Sequence, residues 1–297
     1  MTQLDDFVKI IDCILKRENG YVHWKHVTKH SWTFTATPLS VSDILRKKLF
    51  RANKITTVHV SATVALKKNM GFYRSRIGII NAEEKIVESP FNYRKQAAIY
   101  IPTMPEPLEK GYVPAAIAEI EKLITHFQGR TLILFTSYAA MNEAHELLCK
   151  ECPDFVFLKQ GDSATNSLIE KFKKTDKGVL LGAATFWEGV DIPGPALQCV
   201  IIMKLPFGVP TDPVAMAHQE ELKKRGRQPF WSYLLPPALI KFRQGFGRLI
   251  RRENDSGVVA ILDARIRTKL YGKTFLKSLP DCSVIRDIGG FPVKKGN

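Results

Sequence analysis

Residues 242–265, FRQGFGRLIRRENDSGVVAILDAR, set Arg243, Arg248, Arg251, Arg252, Gln244 and two glycines in one short run that leads into an apolar strand ending at Asp263. Arginine stays protonated, and its planar guanidinium offers a fork of donors. Two arginines about one helical turn apart therefore suit a phosphate chain whose charge grows in a transition state. On a helix turning about 100° per residue, Gln244, Arg248 and Arg251 fall within about 60° of one another at the spacing i, i+4, i+7. Phe242, Phe246, Leu249 and Ile250 cluster on the opposite side, giving an apolar anchor behind a guanidinium front. Gly245 and Gly247 each cost about 1 kcal/mol relative to alanine in a helix interior, which points to close approach by backbone or ligand. The alternative use of the same charges is surface ion pairing with Glu253 and Asp255.

Positioning such a front needs a scaffold, and the chain supplies short apolar runs bounded by turns: TTVHVSAT, AAIYIP, TLILFTS, FVFL, GVLLGA, QCVIIMKL and GVVAILD. These read as buried strands. Helical patterns lie between several of them, at 113–127, 138–150, 163–174, 212–226 and 231–252. Alternating strand and helix predicts an α/β fold, a parallel sheet with helices on both faces. The polar stretch NAEEKIVESPFN (81–92) reads as a linker, so the chain divides into residues 1–80 and residues 81–297. Residues 1–80 hold one convincing strand, too little for a parallel sheet, and read as the end of a domain.

A length of 297 residues with 45% apolar and 25% charged residues is ordinary globular composition, which excludes a disordered chain. The apolar runs fall well short of the roughly 18 residues that span a bilayer. The N-terminus MTQLDDFVKIID has no signal-like character, so a cytoplasmic protein without a membrane partner is expected. The net charge of +15 concentrates polyanions such as nucleic acid around the molecule. Five cysteines without a secretory signal argue for free thiols. Cys149 and Cys152 form a CxxC inside a helical pattern with no second pair at metal-ligand spacing, so no metal site is expected.

The order of motifs carries more than any one of them. QGFGRLIR followed by DSGVVAILDAR resembles motif VI of superfamily 2 helicases in the DinG and XPD branch. LGAATFWEGVDIPG (181–194) resembles that branch's motif V, IIMKLPFGVPTDP (201–213) the segment that follows it, TLILFTSYAAM (131–141) its motif IV and VSAT (60–63) its motif III. ATPLSVSDILRKKLF and ESPFNYRKQ are also similar to the bacterial DinG pattern. The resemblance covers residues 35–297. It implies an ATP-driven DNA helicase of two RecA-like lobes, with ATP between the lobes and single-stranded DNA crossing both, unwinding 5′ to 3′ in DNA repair or replication. This chain would be the second RecA-like, P-loop-NTPase-type lobe, preceded by the last strand of the first and by arch-region sequence that includes motif III.

By resemblance Arg251 is the arginine finger, Arg248 a second phosphate contact or inter-lobe latch, and Gln244 the residue orienting nucleotide or attacking water. Glu188, Asp191 and Gly247 would serve the nucleotide side, the acids being otherwise a turn-forming pair before Pro193. Thr136 and Ser137 would hold a DNA phosphate without reading sequence. Thr185, Phe186 and Trp187 would add a contact and a stacking surface, the two aromatics being otherwise core. Ser61 and Thr63 would belong to the coupling motif. ATP and Mg²⁺ would be held mainly by the first lobe, whose P-loop and acidic pair are not seen in this sequence, and no iron-sulfur cluster is expected here. YGKT (271–274) has Arg267 where a P-loop needs its first glycine, and NEAH (142–145) has Asn142 where a DEAH box has aspartate. The competing function is a non-catalytic nucleic-acid-binding or regulatory protein derived from such a lobe.

Overall fold

The computed structural model describes residues 2–17, 19–51, 56–66, 68–192, 194–289 and 291. The chain divides into two compact units, Met1–Ile86 with Phe207–Pro237 and Val87–Pro206 with Ala238–Asn297.

The first unit opens with α1 (Thr2–Lys16), whose Lys16 pairs with Asp12 one turn back at 2.7 Å. An antiparallel hairpin of β1 (Tyr21–Val27) and β2 (Trp32–Pro38) follows, in register from Tyr21↔Pro38 to Val27↔Trp32. Then come α2 (Ser42–Leu45), a π-helical stretch Arg46–Arg51 and α3 (Gly71–Ile77), which ends on Gly78 in the left-handed region at φ 82°. The strand expected in TTVHVSAT does not form: residues 56–63 join no ladder, and Val58 and Val60 stand 83% and 91% exposed. An extended segment gains its stability from a neighbouring strand, and no strand lies beside this one among the described residues.

The second unit carries the expected parallel sheet. Its elements are α4 (Tyr93–Gln96), β3 (Ala97–Tyr100), α5 (Tyr112–His126), β4 (Thr131–Leu134), α6 (Tyr138–Glu151), β5 (Val156–Lys159), α7 (Thr165–Lys174), β6 (Gly178–Gly182) and β7 (Cys199–Ile202). After α8 (Pro213–Lys224) come α9 (Leu235–Phe246), β8 (Gly257–Ile261), α10 (Arg265–Thr268), α11 (Gly272–Ser278) and β9 (Ser283–Ile285). Seven strands run in the order β5-β6-β4-β7-β8-β3-β9, and every pair is parallel. The sequence reading lacked β9 and the hairpin. The contiguous split at 80/81 also differs from the observed units, because residues 207–237 return to the first unit, where α8 packs against β1.

Burial explains why the central strands read as unbroken apolar runs: every residue of β3, β4, β6, β7 and β8 is buried. One face of the sheet packs on α5, whose Ile120, Leu123 and Ile124 are fully enclosed, each contributing about 1.5–3 kcal/mol. The chain turns away from the sheet centre in opposite directions after β4 and β7, so their carboxyl ends flank a topological switch point, the usual place for a ligand in an open α/β sheet. A cavity of about 40 Å³ lies there, lined by Tyr112, Phe135, Thr136, Met203 and Lys204 among others. It has room for water but not for a nucleotide. No helix among the described residues is long and apolar enough to cross a membrane.

Candidate functional site

The arginine run is not one helix. In place of the expected helix 231–252 there is a π-helical stretch Phe230–Leu234, then α9, which ends at Phe246. Beyond it the amides of Arg248 and Leu249 bond three residues back, to Gly245 O and Phe246 O, each at 3.2 Å, a tightening common where a helix stops. Gln244 is therefore helical, while Arg248 and Arg251 lie in the following turn and loop. They nevertheless converge. The Arg248 guanidinium donates to the Val190 carbonyl and, through Nε, to the Gln244 carbonyl at 3.2 Å; Arg251 donates to the same Val190 carbonyl at 3.1 Å. The shared face comes from a common acceptor on another loop rather than from helical periodicity.

Two buried polar residues hold this loop: Asp255, which the sequence offered only as a surface ion-pair partner, and Gln96, for which the sequence reading had no role. Asp255, 4% exposed, accepts the amides of Arg251 and Arg252 at 2.8 Å through one carboxylate oxygen and the amide of Gly194 at 3.1 Å through the other. It thereby ties the motif VI loop to the motif V loop, and it is no surface partner for the arginine side chains. From the far edge, Gln96 donates to the carbonyls of Arg252, Glu253 and Asp255 at 3.0–3.1 Å. Phe242, Phe246, Leu249 and Ile250 are buried as the apolar pattern requires. At the end of β8, Asp263 is 1% exposed, grips Arg265 at 2.6 Å and accepts the Leu205 amide at 2.8 Å, which fixes the exit of β7.

Hydrogen-bonding capacity is left over at the front of the loop. Gln244 Oε1 is buried without a hydrogen-bond partner, and Arg251 Nε, which makes no hydrogen bond, lies 3.5 Å from the Asp191 carboxylate, itself 70% exposed. Burial, and then the neighbouring Arg251 charge, lowers the Arg248 guanidinium to about 10, with Asp191 and Glu188 opposing the shift. It remains a cation at neutral pH. Buried polar atoms normally find partners, so the unpartnered Gln244 Oε1 is an exception within this loop.

The motif V loop corrects two expectations. Phe186 and Trp187 are both 0% exposed and present no face to a base. Trp187 donates its indole N–H to the Phe135 carbonyl at 2.7 Å, and the Lys241 ammonium lies 5.5 Å from the ring centroid. Gly245 exists for this packing: a Cβ there would stand 2.9 Å from the Trp187 ring. Gly247 is not cramped in the same way, since a Cβ would meet only its own turn's carbonyls, the nearest at 3.3 Å. Glu188 and Asp191 are exposed on either side of Gly189, whose φ of 86° makes the turn between them.

Along the carboxyl edge, Thr136 and Ser137 follow β4 and are exposed, and Ser137 caps α6 by accepting the Ala140 amide at 3.2 Å. Gln160, which sequence reasoning missed, joins this edge together. Its Nε2 donates to Tyr138 Oη and to Thr185 Oγ1, each at 3.0 Å, while its Oε1 accepts the Ala183 amide at 2.7 Å. Thr185 is exposed next to Ala184, whose φ of 30° is unusual for a residue with a side chain. Ser61 and Thr63 lie in the first unit, where Ser61 Oγ accepts the Thr63 amide at 3.2 Å.

The two decoys resolve structurally. Gly272 of YGKT is buried with no room for a Cβ, which would stand 2.0 Å from the Ile266 carbonyl, so the glycine serves packing at the start of α11. Asn142, Glu143 and His145 of NEAH lie on α6. Burial lowers the His145 pKa, and its ring sits 3.6 Å from Cys149 Sγ. The cysteines are free thiols, and no group of three metal-ligating side chains occurs among the described residues.

A seven-stranded parallel sheet of this order with helices packed on it is the architecture of a RecA-like helicase lobe. The XPD helicase among solved structures shares this fold, with a TM-score of 0.65 over 91% of this chain and 49% of that one at 16% identity. The model of the helicase C-terminal domain family matches residues 120–282, and the chain belongs to that family. It is similar to the ATP-dependent DNA helicase YoaA of Escherichia coli (strain K12), 36% identical over 270 residues, which are 91% of this chain and 42% of that protein. It is also similar to the 3'-5' exonuclease DinG of Bacillus subtilis (strain 168), 35% identical over 266 residues, 86% of this chain and 28% of that one. The chain thus spans less than half the length of these curated relatives.

Proposed function

We propose that the second unit is the second RecA-like lobe of a DinG-type ATP-dependent DNA helicase, working in the cytoplasm with a first lobe that holds most of the ATP and its Mg²⁺. The observation that carries this reading is the loop of Gln244, Arg248 and Arg251, with both guanidinium groups on the Val190 carbonyl and the Gln244 Oε1 buried without a partner. In this reading Arg251 turns its remaining donors toward the γ-phosphoryl group and stabilises the charge that develops as the bond breaks. Arg248 keeps the motif V and VI loops in register and supplies a second phosphate contact. Gln244 Oε1 accepts from the attacking water or the nucleotide. Preorganisation matters here, because donors already fixed by Asp255 and Val190 need not reorganise when charge appears.

Glu188 and Asp191 would face the nucleotide from the motif V loop, with Gly247 opposite them across the α9 turn. Thr136, Ser137 and Thr185, aligned by Gln160, would hold the phosphates of single-stranded DNA, and Tyr138, 50% exposed, takes the stacking role that buried Phe186 and Trp187 cannot fill. Ser61 and Thr63 would relay nucleotide state from the first unit, read as the end of the first lobe. Unwinding would run 5′ to 3′ in repair or replication, with no iron-sulfur cluster ligated by this chain.

DNA-stimulated ATP hydrolysis, measured for the chain alone and after addition of a first-lobe chain, tests the reading. Hydrolysis is expected only on mixing, and Arg251→Ala should lower kcat by about 10³–10⁵. Unchanged turnover in Arg251→Ala would overturn the finger assignment. Salt-sensitive strand binding with no hydrolysis in any mixture would make the chain a binding module instead.

A further inference from the structure

We propose that the β1–β2 hairpin of the first unit is a second single-strand site, an aromatic and cationic platform on which bases stack. The hairpin register places Lys25 opposite Phe34 and Val27 opposite Trp32, so these four side chains share one face. That face is turned to solvent at the hairpin tip, with Trp32 67%, Phe34 56% and Val27 50% exposed. Exposed aromatics on a two-stranded ribbon invite aggregation unless they have a partner. The charge within the hairpin's own sequence identifies its sign. From Asn19 to Ser42 there is no aspartate or glutamate, while there are two lysines and three histidines, and the Lys25 ammonium sits 5.7 Å from the Trp32 ring centroid.

Geometry favours bases over a protein surface. Side chains two residues apart on one strand are about 6.8 Å apart, twice the roughly 3.4 Å step of a nucleic-acid strand, which leaves the thickness of one base between Trp32 and Phe34. Lys25 then meets the phosphate beside a base that stacks on the indole. The tip is already ordered: Thr28 Oγ1 accepts the amides of His30 at 3.3 Å and Ser31 at 3.0 Å, and the Thr28 amide bonds the Ser31 carbonyl at 2.9 Å. A platform ordered beforehand loses little entropy on binding. A second copy of this chain is the less suitable occupant, because it brings the same net charge of +15 to the contact. The site stands on the hairpin's own chemistry and is independent of the strand-binding edge proposed for the second unit.

Fluorescence anisotropy of the full chain with a labelled 20-mer of thymidine, and with an abasic 20-mer of the same charge, tests this. Trp32→Ala combined with Phe34→Ala should weaken binding of the thymidine strand at least about tenfold and leave the abasic strand within about twofold, while Trp32→Phe keeps most of the affinity. Changes at Thr136 and Thr185 should instead weaken both strands alike, so failure at one site is distinguishable from failure at the other. Unchanged thymidine affinity in the double variant, or an equal loss on both strands, overturns the proposal. So does light scattering that shows a wild-type dimer falling to monomer in the double variant, which would make the face a contact between copies.

Discussion

In the second unit every residue of five central strands is inaccessible, whereas in the first unit Leu235, at 3%, is the one apolar side chain of the core among the described residues. Both stretches are rich in β-branched and aromatic residues, so composition alone does not separate them. The difference lies in neighbours. A parallel strand with a partner on each side and helices on both faces has every backbone group paired and every side chain enclosed. Valines at 58 and 60, with no ladder, stay in solvent. Local pairing across a short turn suffices for the β1–β2 hairpin, but it leaves even the end away from the turn only half-buried. The lesson is that the site loops of the second unit rest on a closed scaffold, while the first unit offers surfaces.

The sharpest way to strain this contrast is to break the scaffold beneath the site. Asp263→Ala leaves Arg265 without its buried carboxylate partner and the Leu205 amide without an acceptor, and should cost about 3–5 kcal/mol. Urea unfolding reads this as a lower midpoint, and a loss under about 1 kcal/mol would show that the floor of the site is held by something else. Gly245→Ala is next: its methyl meets the Trp187 ring at 2.9 Å and Leu134 at 3.2 Å, so α9 must shift, at about 1–3 kcal/mol by thermal unfolding. A neutral outcome there would mean that the motif V loop is softer than its burial implies. Smallest is Val58→Ser with Val60→Ser, expected to stay within about 0.5 kcal/mol because both side chains are already hydrated. A drop beyond about 1 kcal/mol would mean those valines are covered in solution, and the contrast between the units would fail.

Legibility followed the same divide. Runs such as TLIL, GVLLG and GVVAI announced buried strands because both faces of a parallel sheet demand apolar side chains, and TTVHVSAT carried the same signal without the partner that makes it a strand. Helices at 112–126 and 138–151 were within a residue or so of expectation, since their apolar spacing is a local property. The arginine run showed the limit of that reasoning. Its residues did come together, but through a carbonyl about sixty positions away and not through one helix, and a helical wheel has no means of seeing that.

Sequence alone determined the alternation of strand and helix, the order of the helicase motifs and the clustering of arginines in residues 243–252, because these depend on neighbours a few positions apart. Tertiary structure alone decided that Phe186 and Trp187 are core, that Asp255 and Gln96 fix the arginine loop, and that Gln160 aligns Tyr138 with Thr185. Each of those assignments depends on a buried polar or aromatic group meeting its partner from a distant segment. Such a group leaves no periodic mark in the sequence, because the requirement it meets, a satisfied hydrogen bond out of water, arises only when the chain has closed around it.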